Sequence, residues 1–211
     1  LSPFAMTQDR TQKSAPAMPN ALRTTRGIRR QRDSGLDLVI FDLPPLRELQ
    51  ITVRPQPGEK IPALFQRLGG ILKEHEASVV KQDIFGSLAV RSEALDALKR
   101  AAGNIQWPVT WVEGTSCTGD SIAGIQVLAV SGVAVQTVTL KERVIGRVFD
   151  DGAAKHFLLG DIGPRNSSGS QADQTRQTYD TMEAALQQAG MNATHVVRTW
   201  FYLDDILSWY D

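Results

Sequence analysis

The feature of the sequence that most constrains the fold is the order in which two periodicities follow each other. Apolar residues recur at every second position in some stretches, which indicates strands, and at three- and four-residue spacing in others, which indicates helices. From Leu36 this order is strand, strand, helix, strand, helix, strand, strand, and a similar order begins again at Val133. We therefore predict an α+β fold made of two tandem units, each a mixed sheet backed by two helices.

The first unit is predicted to span residues 36–132. Its first helix begins near Glu59, with Pro62 in the first turn, where proline is tolerated. The apolar positions of that helix recur at three- and four-residue spacing: Ile61, Leu64, Phe65, Leu68, Ile71 and Leu72. A second helix is predicted to begin at Ser92 and to end at Gly103, and Trp107 and Trp111 on the following strand are predicted to be core residues.

The second unit is predicted to span residues 133–211. Three strands precede a helix that is capped by Ser170 or Asp173 and ends at Gly190. The apolar positions of this helix are Tyr179, Met182, Leu186 and Ala189. A strand over His195–Leu203 and the start of a helix at Asp204 follow. Compared with the first unit, most of one helix and two strands are missing, so we expect the second unit to continue past Asp211 or to be completed by another chain.

Charge is distributed unevenly along a chain whose formal net charge is +0. Residues 1–35 carry seven basic and two acidic residues, and they show little apolar periodicity. Such a segment cannot bury enough surface to offset its ordering entropy, so residues 1–35 are predicted to be a basic, disordered tail. The neutral balance of the whole chain gives no indication of nucleic acid as a partner.

One long uncharged run, Ile122–Leu140, has the length of a membrane span. Its glutamines, serine and threonines and its many β-branched residues favour two strands joined at Ser131-Gly132, so no membrane association is predicted. Cys117 is the only cysteine, which excludes an internal disulfide and fits a reducing, cytoplasmic location. The three histidines lack metal-ligand spacing, so no metal site is predicted.

Several motifs in the second unit carry a family resemblance. The runs G-D-I-G-P, Q-T-R-Q, L-Q-Q-A-G and H-V-V-R-T-W-F-Y-L-D-D-I resemble the Rid superfamily, the reactive intermediate deaminases also known as YjgF-like or endoribonuclease L-PSP proteins. These motifs cover Phe157–Ile206, about a quarter of the chain. The tandem plan, together with V-E-G-T-S-C and G-I-Q-V-L-A-V before the second copy, is similar to the chorismatase branch of that superfamily.

The resemblance implies a fold, an activity and an assembly. Family members have chorismate mutase-like units that assemble as trimers or tandem equivalents, with ligand clefts between units. The implied activity is hydrolysis or deamination of a small carboxylate-bearing enamine, imine or enol ether, without a metal or an organic cofactor. The catalytic arginine of the family would fall beyond Asp211 in the second unit. The matching strand of the first unit, Trp107–Glu113, has no arginine, so the first unit is predicted to be structural.

Five residues are the candidates for substrate binding. Alternation along the predicted strand His195–Leu203 places Arg198, Trp200 and Tyr202 on one face, which suits a carboxylate-bearing ring; the same composition also suits a contact between subunits. The opposite face, with Val197, Thr199, Phe201 and Leu203, is predicted to be core.

Asp161 and Arg165 flank Gly163-Pro164, where the resemblance implies a loop that lines the cleft. Family members more often have a serine and a glutamine near this loop, whereas this chain has Leu159 and Asp161. An alternative reading is that Asp161 and Arg165 form an ion pair at the surface.

Three functions stay open at this point. The first is a Rid-type hydrolase or deaminase acting on a small carboxylate-bearing substrate. The second is chorismatase-like cleavage of a chorismate-type enolpyruvyl ether, which the tandem plan and the R-T-W-F-Y run favour. The third is a non-catalytic protein that binds a small ligand or takes part in an assembly, which the basic tail favours. A homo-oligomer, either a trimer or a tandem equivalent, is expected in each case.

Overall fold

A computed structural model describes residues 27–209 of the chain. Nine strands form two sheets, and three α-helices cover them. The larger sheet has six strands in the spatial order β1-β2-β3-β6-β4-β5, in which β4 and β5 are parallel and all other neighbours are antiparallel. Its strands are β1 (Gly27–Asp33), β2 (Leu36–Leu43), β3 (Leu46–Val53), β4 (Ser78–Gly86), β5 (Val109–Glu113) and β6 (Ile122–Ser131).

Two helices cover one face of the larger sheet, and the main core lies between these helices and the sheet. Helix α1 (Ile61–Glu74) has Pro62 in its first turn and buries the predicted apolar positions from Leu64 to Leu72. Helix α2 (Arg91–Ala102) is preceded by a short 3-10 turn that Ser87 caps, so Ser92 lies inside the helix instead of capping it. Trp107 and Trp111 belong to this core, as predicted, and Trp107 donates a hydrogen bond from Nε1 to Gln82 Oε1 at 2.8 Å.

The smaller sheet contains three antiparallel strands, β7 (Val135–Leu140), β8 (Arg143–Asp150) and β9 (Lys155–Leu159). Helix α3 (Gln171–Gln188) begins at Ser170, whose hydroxyl accepts a hydrogen bond from the Asp173 amide. The carboxyl-terminal end of α3 is buried at Leu186 and Ala189, whereas Tyr179 is 44% exposed. The smaller sheet has only three strands and is too narrow to cover the whole of α3. The predicted apolar stripe of α3 is therefore buried only in part.

The uncharged run Ile122–Leu140 forms two strands, β6 and β7, which separate at Ser131–Gly132 as predicted. Gly132 has a φ of 90° and its backbone lies close to the Pro45 carbonyl, so this turn requires glycine. None of the helices within residues 27–209 has the length and apolar character needed to cross a membrane.

The two sheets meet on the face of the larger sheet that lies opposite α1 and α2. A small cluster of buried side chains fills the contact: Leu46, Val80, Val130 and Phe149. Beside it, Arg147 of β8 donates from Nη1 to the carbonyl of Val79 at 2.9 Å and from Nη2 to the carbonyl of Val135 at 3.2 Å. Strand β4 has an irregular register between Val79 and Lys81, so the Val79 carbonyl can accept a bond from outside the larger sheet.

Strand β1 corrects the predicted tail. Gly27–Asp33 pairs along its whole length with β2, and Arg29 and Arg32 form ion pairs with Asp42 and Asp37. The sequence contains no apolar alternation here because β1 is an exposed edge strand, stabilised by backbone pairing and by charges on β2. Residues 1–26 of the predicted tail lie outside the described part of the chain.

A second correction concerns the predicted strand His195–Leu203. Ala193–His195 forms a short 3-10 turn, and residues 196–203 belong to neither sheet. The alternation of residue types in this segment is typical of a strand. A strand forms only when its backbone pairs with a neighbouring strand, and the alternation does not supply that neighbour. Beyond it, the predicted helix at Asp204 is a 3-10 turn over Ile206–Ser208, and residues 210–211 lie outside the described part.

We predict that Arg147→Met lowers the free energy of unfolding by about 1–3 kcal/mol, because two backbone carbonyls lose a charged donor at the contact between the sheets. Burial lowers the pKa of Arg147, so relief of that desolvation offsets part of the loss. Urea unfolding measures the change. Arg176→Met, on the exposed face of α3, is the matched control and should change stability by less than about 0.5 kcal/mol. Equal stability of the two variants would contradict the assignment.

We predict that Asp151, in the turn between β8 and β9, makes the stability of the fold depend on pH in acid solution. Hydrogen bonds from the Ala154 amide, from His156 and from the Ala153 amide lower the pKa of Asp151 from 3.8 to about 2. Because the pKa of Asp151 is lower in the folded state, this carboxylate stabilises the fold above about pH 3.8, and the stabilisation is lost as the pH falls towards 2. The urea midpoint should therefore drop more between about pH 5 and pH 3 for the wild type than for Asp151→Asn. Parallel profiles would show that this turn does not stabilise the fold.

Candidate functional site

The loop after β9 is attached to the larger sheet through Thr110 of β5. The Asp161 amide donates a hydrogen bond to Thr110 Oγ1 on β5 at 3.0 Å. Gly160 lies so close to β5 that a Cβ atom added there would be 3.0 Å from Pro108 Cβ. Asp161 itself has a φ of 53°, which turns the chain away from the smaller sheet. Residues 160–165 are thereby held next to β5, at the edge of the larger sheet.

A pocket of about 130 Å³ opens between this loop, the β7–β8 turn and α3. Its walls are mainly apolar, with contributions from Leu140, Ile145, Ile162 and Pro164. Three cationic residues, Lys141, Arg143 and Arg165, and one carboxylate, Asp161, also line it. Apolar walls with a few charged groups are typical of sites for small molecules, and the excess of positive charge favours a ligand that carries a carboxylate.

Asp161 pairs with Arg143 and not with Arg165, which corrects the predicted surface pair. Arg143 Nη2 donates to Asp161 Oδ2 at 2.8 Å and to the Asp161 carbonyl at 3.0 Å. Their side chains are 61% and 40% exposed, so solvent screens this ion pair. The backbone of Arg165 is positioned by Gln177 of α3, whose Oε1 accepts the Arg165 amide at 3.0 Å. No acidic partner of the Arg165 side chain is found within residues 27–209.

The five predicted site residues therefore fall into separate groups. Asp161 and Arg165 share the pocket, whereas the Arg198 guanidinium lies 5.5 Å from the centre of the Trp200 ring, on the outside of the molecule. Trp200 is 69% exposed. Tyr202 contacts Phe85 of β4 edge to face, with ring centroids 6.0 Å apart. The predicted core face of the same segment is wrong as well, since Val197 is 99% exposed.

Sequence reasoning missed an ion pair beside Tyr202. Lys81 and Asp83 lie on the same face of β4, and Lys81 Nζ is 2.6 Å from Asp83 Oδ2. Burial, and secondly the charge of Asp83, raises the pKa of Tyr202, so its phenol stays neutral at physiological pH. Two opposite charges at two-residue spacing inside a mainly apolar strand are a signal that could have been read from the sequence. Within residues 27–209 no group of three or more metal-binding side chains occurs.

Comparisons with known proteins identify the fold. No protein-family model and no curated protein sequence matches the chain. Among solved structures, a chorismatase is similar over 80% of this chain with a TM-score of 0.58 and 12% sequence identity. The chain spans 62% of the length of that chorismatase. At this identity the similarity concerns the fold, and the chain therefore has an α+β fold similar to that of chorismatase.

A second solved structure, a candidate translation initiation inhibitor from Salmonella typhimurium, is matched over 50% of this chain and 97% of its own length. Its TM-score is 0.38 and its sequence identity is 15%, so this match adds no support for the fold.

We predict that Thr110→Val loosens the loop that carries Asp161. The change preserves side-chain shape but removes the acceptor of the Asp161 amide, so that amide should exchange with solvent at least several-fold faster. Amide exchange followed by NMR measures the effect. Thr137→Val, which removes a hydrogen bond from an exposed threonine to the Gln106 carbonyl, is the control and should leave the Asp161 amide unchanged. An unaltered exchange rate in Thr110→Val would disprove the role of Thr110.

Proposed function

We propose that the chain is a Rid-type hydrolase that binds a small carboxylate-bearing enamine, imine or enol ether. The observation that carries this proposal is the pocket at the end of β9, which three cationic side chains line together with Asp161. The family resemblance implies a cleft loop in the same part of the sequence, and the fold similar to chorismatase supports the same relationship.

The charges of the pocket account for binding. Arg143 and Arg165 have planar guanidinium groups that suit a carboxylate, and Lys141 adds a third positive charge on the β7–β8 turn. The ion pair with Asp161 limits the rotation of Arg143, and the backbone contact with Gln177 fixes the start of the Arg165 side chain. A substrate carboxylate would thus meet one guanidinium, that of Arg143, whose orientation is already limited, which reduces the entropic cost of binding.

The proposed reactions share one chemical course. In an enamine or an enol ether, protonation of the methylene carbon gives a cation next to the carboxylate, whereas an imine gives the corresponding cation by protonation at nitrogen; water then adds to that cation and loses a proton. An enol ether then yields an alcohol and a 2-oxo acid, and an enamine yields ammonia and a 2-oxo acid. The cations of the pocket are assigned to substrate binding, and the proton donor is not assigned to a residue. Neither reaction requires a metal or an organic cofactor.

The second candidate is cleavage of a chorismate-type enolpyruvyl ether. The specific observation in its favour is the fold similar to chorismatase over 80% of the chain. Because the chain spans 62% of that protein, the complete activity can depend on residues that have no counterpart here. A non-catalytic protein that binds small carboxylates in the same pocket is the remaining alternative, and binding without turnover would identify it.

We also propose that copies of the chain associate. Residues 196–207 expose several large apolar side chains: Val197, Trp200, Phe201, Leu203 and Leu207. Contiguous apolar surface of this kind is typical of contacts between proteins. Arg198 and Trp200, assigned to substrate binding by alternation alone, fit such a contact better than the pocket.

A single assay tests the main proposal, because both reaction classes release pyruvate when the substrate is chorismate or 2-aminoacrylate. We expect pyruvate release with one of the two, and ammonia only with 2-aminoacrylate. Arg143→Ala and Arg165→Ala should each lower kcat/KM about 10- to 100-fold, since each removes a charged hydrogen-bond donor to the substrate carboxylate.

Arg176→Ala, an exposed arginine on α3, is the matched control and should retain the wild-type value. Arg143→Lys keeps the charge but not the planar fork and should fall between the two. Absence of pyruvate with both substrates would exclude the hydrolase, and unaltered kinetics of both arginine variants would exclude the pocket.

A further inference from the structure

We propose that Lys81 and Asp83 of β4 form a second ligand site, which takes a small molecule that has a hydroxyl group next to a carboxylate. This site lies on the face of β4 that also carries Phe85, and it is separate from the pocket at the end of β9. It does not depend on the proposed hydrolase activity.

The ion pair is largely shielded from solvent, to the same degree as the pair between Arg67 and Glu59. The side chains of Lys81 and Asp83 are 22% and 10% exposed, and Lys81 Nζ contacts Asp83 Oδ2 at 2.6 Å. Exposed ion pairs in this structure, such as that between Arg143 and Asp161, retain far more contact with water. Two charges are rarely removed from water within a strand unless something stabilises both of them.

One oxygen of this carboxylate has no donor. Asp83 Oδ1 is buried and accepts no hydrogen bond from residues 27–209. A buried carboxylate oxygen without a donor is costly, and a hydroxyl group supplies the single hydrogen bond it needs. Its other oxygen, Oδ2, accepts a hydrogen bond from Lys81. Asp83 is therefore suited to accept from a ligand hydroxyl.

Two cationic side chains, Lys81 and Arg147, lie near Asp83 along β4. Lys81 uses one of its three N–H donors for Asp83, so the other two can bind a ligand carboxylate. Arg147 reaches the carbonyl of Val79, two residues before Lys81 on the same strand, and it has no acidic partner within residues 27–209. A hydroxy-carboxylate carries one negative charge, which would balance these two cations and Asp83.

Tyr202 lies near the ion pair, in a segment that belongs to neither sheet. The Tyr202 ring contacts Phe85, two residues after Asp83 and on the same face of β4. The backbone of residues 197–203 makes no hydrogen bond to the rest of the described chain. Lifting this segment would open Asp83 to a ligand without breaking either sheet. The raised pKa of Tyr202, caused first by burial, agrees with a phenol that lies over this face.

The site can be distinguished from the pocket by its neighbours. Thr110 lies beside Asp83 in the parallel pairing of β4 and β5, and its hydroxyl oxygen accepts the Asp161 amide. A ligand at Asp83 should therefore perturb the signals of β4 and Thr110 most strongly, whereas a ligand in the pocket should perturb Arg143 and Arg165.

The test is an NMR titration of the 211-residue chain with L-lactate and with propionate, which lacks only the hydroxyl. We expect L-lactate to shift the amide signals of Lys81, Asp83 and Phe85 and to bind at least about tenfold more tightly than propionate. Asp83→Asn should weaken this preference, because an amide oxygen accepts a hydroxyl hydrogen bond more weakly than a carboxylate oxygen does. Asp42→Asn, at the exposed ion pair with Arg29, is the control and should keep it.

Equal affinities for lactate and propionate in the wild type would overturn the proposal. Shifts confined to Arg143, Asp161 and Arg165 would overturn it too, since they would place lactate in the pocket. If Asp83→Asn does not fold, the comparison of the two ligands in the wild type still decides. Failure of the pyruvate assay does not affect this result, because the readout is binding at β4.

Discussion

The contact between the two sheets is the interaction on which the other features depend. The larger sheet has its helices on one face, and the opposite face would be exposed without the smaller sheet. Four buried side chains and the two hydrogen bonds of Arg147 make this contact. The irregular register in β4 is what frees the Val79 carbonyl for Arg147, so a local defect in one sheet provides the attachment point for the other.

Both candidate sites follow from this arrangement. With the smaller sheet attached, the loop after β9 reaches β5, and Thr110 holds the Asp161 amide there. The pocket then forms between that loop, the β7–β8 turn and α3. The same face of the larger sheet carries Lys81 and Asp83, whose side chains are 22% and 10% exposed. Residues that are far apart in the sequence thus contribute to each site.

The two halves share a beginning that the sequence did not reveal. Strands β1, β2 and β3 are antiparallel neighbours in chain order and precede α1, and strands β7, β8 and β9 precede α3 in the same manner. From the sequence alone, Gly27–Asp33 is predicted to belong to a tail, so two strands are expected before the first helix and three before the third. An edge strand with polar side chains on both faces has no period that can be recognised. The structural parallel agrees with the predicted tandem plan, which stays a prediction.

The sequence by itself determined the α+β class, the helices α1, α2 and α3, most strands and their turn residues, because burial on one face leaves a period that can be read directly. It also placed Asp161 and Arg165 together, since they are neighbours along one loop. The tertiary structure decided what depends on partners from elsewhere in the chain. It paired Asp161 with Arg143, brought Tyr202 to Phe85, joined β1 to β2, and left residues 196–203 without a strand partner. Alternation determines which side chains share a face, but only the assembled chain determines whether that face and its backbone find a neighbour.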